Sequence, residues 1–324
     1  MKTFSRRALE FFLTFFLAIS INFFLPRLVP GDPILLIAGN AAPQLGRQRL
    51  AALRAQYGLD KPLSEQYLIY LKQLAHGDLG MSYRYSGGKT VIEVLSESFR
   101  WTLLLVGTSL LLALLIGSGL GIWSATKHGD PVDFGLLSGI YILRSIPSFW
   151  LAMLLIPIFA IQLHYLPVGD SYSIPRLKGW ENLKDVARHA VMPVIVLTLA
   201  YLPTAFIIMR AAMFGILESN YIRTARAKGV PNRWVVLKHG LRNALLPVLT
   251  SFTVDFGQLL GGVTVIEAVF NYRGIGSMMF DAVKSRDYPL LQGGFLLFTI
   301  TILLLNIVTE LMYPFLDPRL RRSM

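Results

Sequence analysis

"WTLLLVGTSLLLALLIGSGLGIWSAT" runs from Trp101 to Thr126 without a single charged residue. A helix rises 1.5 Å per residue and the hydrocarbon core of a bilayer is about 30 Å thick, so about 20 apolar residues suffice to cross it. This stretch exceeds that length. Five others read the same way: Ala8–Val29, Val132–Leu163, Ala190–Met209, Asn243–Ile266 and Pro289–Thr309. Pro147, Pro157 and Pro203 fall inside these spans, where neighbouring helices can re-satisfy freed backbone groups. The expected fold class is an all-α membrane protein with six transmembrane helices.

Composition agrees. Of 324 residues, 54% are hydrophobic and 15% charged, against about 25% charged in soluble domains. That excludes ordinary soluble and disordered chains. The net charge of +12 raises the question of nucleic acid. However, the basic residues flank apolar runs and form no aromatic-interleaved patch, so membrane lipid is the expected surrounding and nucleic acid is not. With no cysteine, disulfides, thiol catalysis and Cys-type zinc sites are excluded. The five histidines, His76, His128, His164, His189 and His239, show no metal-ligand spacing within one helix. No nucleophile–base constellation is visible. No metal, cofactor or catalytic residue is expected, and the chain does not read as an enzyme. Lys2, Arg6 and Arg7 ahead of "FFLTFFLAIS" resemble a signal peptide, but five further spans favour an uncleaved first helix.

Lys and Arg in short loops set the orientation. Lys2, Arg6 and Arg7 precede the first span, Lys127 follows the second, and Arg319, Arg321 and Arg322 follow the sixth. Between the fourth and fifth lie Arg223, Arg226, Lys228, Arg233, Lys238 and Arg242 against one acid, Glu218. Six crossings put all of these on one side, the cytoplasm, with both termini there and Pro30–Arg100 outside. The expected divisions are 1–29 (N-terminus and first helix), 30–100 (extracytoplasmic helical subdomain), 101–315 (five-helix core containing a loop at 216–242) and 316–324 (cytoplasmic tail). In the outer segment, "RQRLAALRAQYGL" has helical spacing and stops at Gly58. "PLSEQYLIYLKQLAHGDLG" opens on Pro62 and stops at Gly77, the usual places for proline and glycine around a helix. "SGGKT", Ser86–Thr90, imitates the end of a phosphate-binding loop, but Tyr83 stands where that motif needs glycine.

The loop "YIRTARAKGV", Tyr221–Val230, is more than a basic tether. Glu218–Lys228 favours helix, Gly229 suits a helix stop, and Pro231 suits the first turn of a second helix, "PNRWVVLKHGL". Its small residues admit a close partner backbone, and Tyr221 and Trp234 offer aromatic anchors.

These residues resemble the signature of ATP-binding-cassette importer permeases, "DYxRTARAKG" followed by "HxLRNALxP". Here the chain has "NYIRTARAKGV" and then "HGLRNALLP", His239–Pro247. "LVPGDP" (Leu28–Pro33), "YGLDKPLSEQY" (Tyr57–Tyr67), "GDLGMS" (Gly77–Ser82), "SRDYPL" (Ser285–Leu290) and "LDPRLRR" (Leu316–Arg322) look like the first permease subunit of the oligopeptide, dipeptide and nickel branch. Two departures stand out. Arg223-Thr224-Ala225 replaces the wider family's Glu-Ala-Ala, and Leu241-Arg242 its Leu-Pro. Arg273 holds a position in "NYRGIG" where proline is common.

The resemblance implies a coupling helix that docks on a cytoplasmic ATPase, with Tyr221, Arg223, Thr224, Ala225, Ala227, Lys228, Gly229, His239 and Arg242 as the contact set. It implies a second homologous permease, two ATPase subunits that bind the ATP, and an extracytoplasmic substrate-binding protein. The implied setting is a prokaryotic inner membrane. The implied cargo is an oligopeptide or dipeptide, with nickel or oligosaccharides as alternatives.

Arg144 and Asp255 each lie 12 residues into their span as counted from Val132 and Asn243, which in straight helices is about 18 Å deep. Charges there should face protein or water. They could form a gate or a polar lining, joined by Gln258 one turn beyond Asp255, or a static pair that only fixes packing. A secondary transporter would instead show inverted halves and broken helices, and an intramembrane enzyme would show facing catalytic groups.

Overall fold

The computed structural model describes residues 2–28, 34, 46–56, 58–83 and 88–316. Their regular structure is helical, and the β-type contact among them is an isolated bridge between Met81 and Thr90. The helices are α1 (Lys2–Leu28), α2 (Arg47–Gln56), α3 (Leu63–Ala75), α4 (Val91–Thr126), α5 (Pro131–Ser145), α6 (Ser148–Leu155), α7 (Gly179–Leu217), α8 (Asn220–Ala227), α9 (Leu241–Gly262), α10 (Thr264–Val269), α11 (Ile275–Ser285) and α12 (Tyr288–Leu316). α4, α7 and α12 are each long and apolar enough to cross a membrane. α5 and α6, the latter extended by a π-helical turn over Ile156–Gln162, pass the same test only as a pair. On α4, Leu103, Leu104, Leu111, Leu112, Leu115 and Ile116 are exposed, as lipid-facing side chains should be.

The chain divides into two compact units. The first contains α1–α3, the start of α4, α11 and the first part of α12. The helices between residues 46 and 77 end where the sequence places glycine. Gly58 (φ 64°) closes α2, with Leu59 N–H on the Arg54 carbonyl. Gly77 (φ 73°) closes α3, with Asp78 N–H on the Gln73 carbonyl. A side-chain-free residue takes this left-handed conformation without penalty. Tyr67 and Tyr70 of α3 pack on Phe23 of α1, with ring centroids 5.1 and 5.4 Å away. Burial pushes the Tyr70 hydroxyl up to about 12.

Thr90, the last residue of the phosphate-loop mimic, serves as a helix cap. Its N–H reaches Glu93 Oε2 at 2.9 Å and Glu93 N–H reaches its Oγ1 at 3.3 Å, a reciprocal capping box that opens α4. The rest of that mimic falls partly outside the described residues, as do most of "LVPGDP" and "LDPRLRR". In "SRDYPL", the buried Asp287 caps α12 by accepting from Leu290 N–H at 3.1 Å, and it also accepts from Ser82 Oγ. Val91, Leu95, Ile275, Met278 and Leu290 form the core of this unit.

The second unit is built around α4 and α7. A Cβ on Gly117 would stand 2.7 Å from the Leu202 carbonyl oxygen, and one on Gly121 would stand 2.8 Å from that of Phe206. Only glycine lets the two backbones approach this closely, the small-residue packing expected of membrane helices. The loop after the π-helical turn is also pinned. Asp170 N–H donates to the Phe270 carbonyl at 2.8 Å and Arg273 N–H to Ser171 Oγ at 3.0 Å. Asn271 takes a left-handed conformation (φ 48°) that ends α10. Arg273, the departure from the family pattern, donates to the Tyr172 hydroxyl at 2.8 Å.

Two expectations need correction. The third span is not one rod, because α5 and α6 meet at an angle of 89°. Pro147 disfavours helix at Ile146, which is extended (φ −86°, ψ 121°). Depth counted along a straight helix from Val132 therefore has no meaning beyond Ser145. Likewise, the second helix expected over "PNRWVVLKHGL" does not stop at Leu241. Pro231 precedes the helix in an extended conformation (ψ 140°), and a single turn, Asn232–Trp234, runs through a π-helical turn, Val235–Gly240, straight into α9.

Candidate functional site

The loop singled out in the sequence begins where α7 ends. Glu218 closes α7, and Ser219, extended (φ −67°, ψ 153°), precedes α8. α8 is eight residues long and buries only Ile222. That one apolar side chain anchors the helix to the body, while Tyr221, Arg223, Thr224, Arg226, Ala227 and Lys228 are exposed and Ala225 is half-buried.

The end of α8 is a complete Schellman motif. Gly229 N–H donates to the Arg226 carbonyl at 2.9 Å and Val230 N–H to the Ala225 carbonyl at 3.3 Å. Gly229 sits at φ 77° with nothing within 4 Å of where a Cβ would be. Its glycine identity is thus a backbone requirement and not a packing one. Beyond the turn, Trp234 and Leu237 are exposed, at 51% and 55%. Arg242 is exposed and His239 half-buried. Asn243 Nδ2 donates to the Tyr221 hydroxyl at 3.1 Å and links the start of α8 to α9.

Arg223, Arg226, Lys228, Arg233, Lys238 and Arg242 enter no ion pair among the described residues, and the only acid between 216 and 242 is Glu218. The arrangement is therefore a short, exposed, cationic helix with aromatic and aliphatic side chains beside it, joined to α7 by two residues. Such a surface is suited to an acidic protein groove.

The charges read as membrane-embedded do not meet. Arg144 is exposed in the last turn of α5, at the break. The Asp255 carboxylate is half-buried and accepts from Ser251 at 3.4 Å. The two form no ion pair, and Gln258 is exposed.

The sequence reading missed a different charge cluster. Asp133, in the first turn of α5, is buried and paired with Arg210 near the end of α7. The signal was present, since each lies at the edge of an apolar run. Seventy-seven residues separate the partners, and nothing in local spacing couples them. Among the described residues no cluster of His, Asp and Glu could hold a metal ion.

Known proteins match over nearly the whole chain. The family described as "Binding-protein-dependent transport system inner membrane component" matches residues 117–322, and its N-terminal membrane-component counterpart matches residues 1–105. The glutathione transport system permease protein GsiC of Escherichia coli O6:H1 is 37% identical over 98% of this chain and 97% of its own length. GsiC of Salmonella choleraesuis is 38% identical over the same shares. Among solved structures, an inward-facing MetNI methionine ABC transporter matches with a TM-score of 0.56 over 70% of this chain and 97% of its own, at 17% identity, a likeness of fold. The chain belongs to the binding-protein-dependent transport system inner membrane components, and is a multi-pass permease subunit of an ABC importer.

Proposed function

We propose that this permease forms half of a translocation pathway for short peptides, oligopeptides or dipeptides, and couples to cytoplasmic ATPase subunits through residues 218–242. In this reading Tyr221, Arg223, Thr224, Ala225, Ala227, Lys228, Gly229, His239 and Arg242 are the docking set. A second homologous permease supplies the other half of the pathway, two ATPases hydrolyse the ATP, and an extracytoplasmic binding protein delivers cargo. The chain crosses the inner membrane six times, with both termini in the cytoplasm and the helical segment 30–100 outside. Arg144, Asp255 and Gln258 contribute polar groups to the pathway separately and not as a pair. The relatives' name, glutathione transport system permease, supports a small peptide as cargo over nickel or an oligosaccharide.

The observation that carries the docking reading is α8 itself. It is a cationic helix with one buried anchor, Ile222, and a glycine stop held at φ 77°. A basic tether of the positive-inside kind needs neither. The test is a pair of variants, Gly229→Val and Ala225→Glu, neither of which touches a membrane span. Both should insert at near-parental levels, abolish peptide uptake and weaken ATPase retention in pull-downs. Normal uptake in both would refute the docking role.

A further inference from the structure

Three long helices converge on one buried carboxylate beside the docking loop. Asp133 of α5 is 4% exposed. Arg210 of α7 grips both its oxygens, Nε to Oδ1 at 2.8 Å and a terminal nitrogen to Oδ2 at 2.7 Å. This is the two-pronged geometry that fixes orientation as well as charge. Ser124, near the end of α4, donates to the same carboxylate and accepts from Arg210 Nε at 3.0 Å. From the α4–α5 turn, Gly129 N–H reaches Oδ2 at 3.4 Å and His128 Nδ1 lies 3.2 Å from it.

On one side of this cluster runs the glycine seam of α4 and α7, with Gly121 one turn from Ser124. On the other, the His128 ring packs on Phe214 of α7 at 4.2 Å. Phe214 and His128, with Glu218, Arg226, Asn232 and Val236, line a hollow of about 220 Å³ against the docking loop. Two residues, Glu218 and Ser219, separate α7 from α8.

We propose that Asp133 and Arg210 are a clamp that makes α5 move with α4, α7 and α8, so that displacement of the docking helix reaches the α5–α6 break. They are positioning residues for coupling, and the proposal rests on the docking role of residues 218–242. The glycine seam already joins α4 to α7 backbone to backbone. α5 is tied to them at this end by the ion pair, and a planar guanidinium fork resists rotation in a way a lysine ammonium cannot.

The test uses the assembled transporter in lipid, with its second permease, ATPases and binding protein. Single cysteines are introduced into this cysteine-free chain at Ser138 of α5 or at Val230 beside the docking helix. Thiol reactivity is then compared with and without ATP and vanadate. In the parent, both positions should respond. In Asp133→Asn and Arg210→Lys, the response at 230 should persist and that at 138 should be lost, with ATPase subunits still co-purifying. Breaking a buried pair can impair folding, so Asp133→Leu with Arg210→Met removes both charges. It should insert at parental levels and still fail to transmit to 138.

A response at 138 in the single variants, or in the well-inserted double variant, overturns the clamp. So does loss of ATPase co-purification in every variant, which would reduce the pair to a scaffold for the dock. Silence at 230 in the parent with a response at 138 would refute the docking reading, and the clamp with it. A response at 230 in the parent that survives alongside one at 138 in every variant refutes the clamp alone.

Discussion

Val230 closes α8 by donating its backbone N–H to the carbonyl of Ala225 at 3.3 Å, across a glycine held at φ 77°. The space around Gly229 is open, so any substitution there is penalised by torsion alone, by about 1–2 kcal/mol for an ordinary L-residue. A graded series is expected. Gly229→Asn should retain most uptake, because asparagine tolerates the left-handed region. Gly229→Ala should retain less, and Gly229→Val least. Cargo uptake into proteoliposomes, normalised to inserted permease, measures the order. Equal activity across the series would mean that the turn does not need this conformation.

The α4–α7 seam provides an internal control. Gly117 and Gly121 face the backbone of α7, whereas Gly119 on the same helix has nothing within 4 Å. Gly119→Ala should be neutral, and alanine has the better helix propensity. Gly121→Ala should cost about 1–3 kcal/mol through overpacking, and Gly121→Leu should prevent stable assembly. Thermal unfolding of the purified complex in detergent separates these outcomes, and an equal loss at 119 and 121 would contradict the seam.

Because Arg144 and Asp255 are apart, their substitutions should act independently. The double variant Arg144→Ala/Asp255→Ala should show the sum of the single effects on uptake, to within about 0.5 kcal/mol expressed as free energy. Rescue of one substitution by the other would instead show that the two charges meet in a conformation other than this one.

Orientation is open to direct labelling. A cysteine at Ser64 should react with an impermeant maleimide in intact cells, whereas one at Val230 should react only after lysis. Reversal of either result would overturn the threading read from the basic loops.

The parts of this structure that sequence made legible are those with local causes. Gly58, Gly77 and Gly229 were readable as helix stops because only glycine enters the left-handed region freely, and each one closes its helix. Asn271 and Arg286 do the same for α10 and α11, at φ 48° and 50°. An arginine carries no such expectation, so the second of these was invisible. The break at Ile146-Pro147 was written in the sequence, but a proline inside an apolar run has two readings, tolerated kink or stop, and local composition does not choose between them. Asp133 and Arg210 were illegible for a different reason: their pairing is a property of how α5 and α7 pack.

The right angle between α5 and α6 has a consequence for the surrounding lipid. A helix of 15 residues is about 22 Å long at 1.5 Å per residue, shorter than the roughly 30 Å hydrocarbon thickness. After Ser145 the helical axis turns by 89° into residues 148–162. α5 alone is therefore too short to cross, and a crossing by this stretch needs residues 148–162 as well. A crossing built from two short helices meets the acyl chains with a bend where a single rod would present a straight wall.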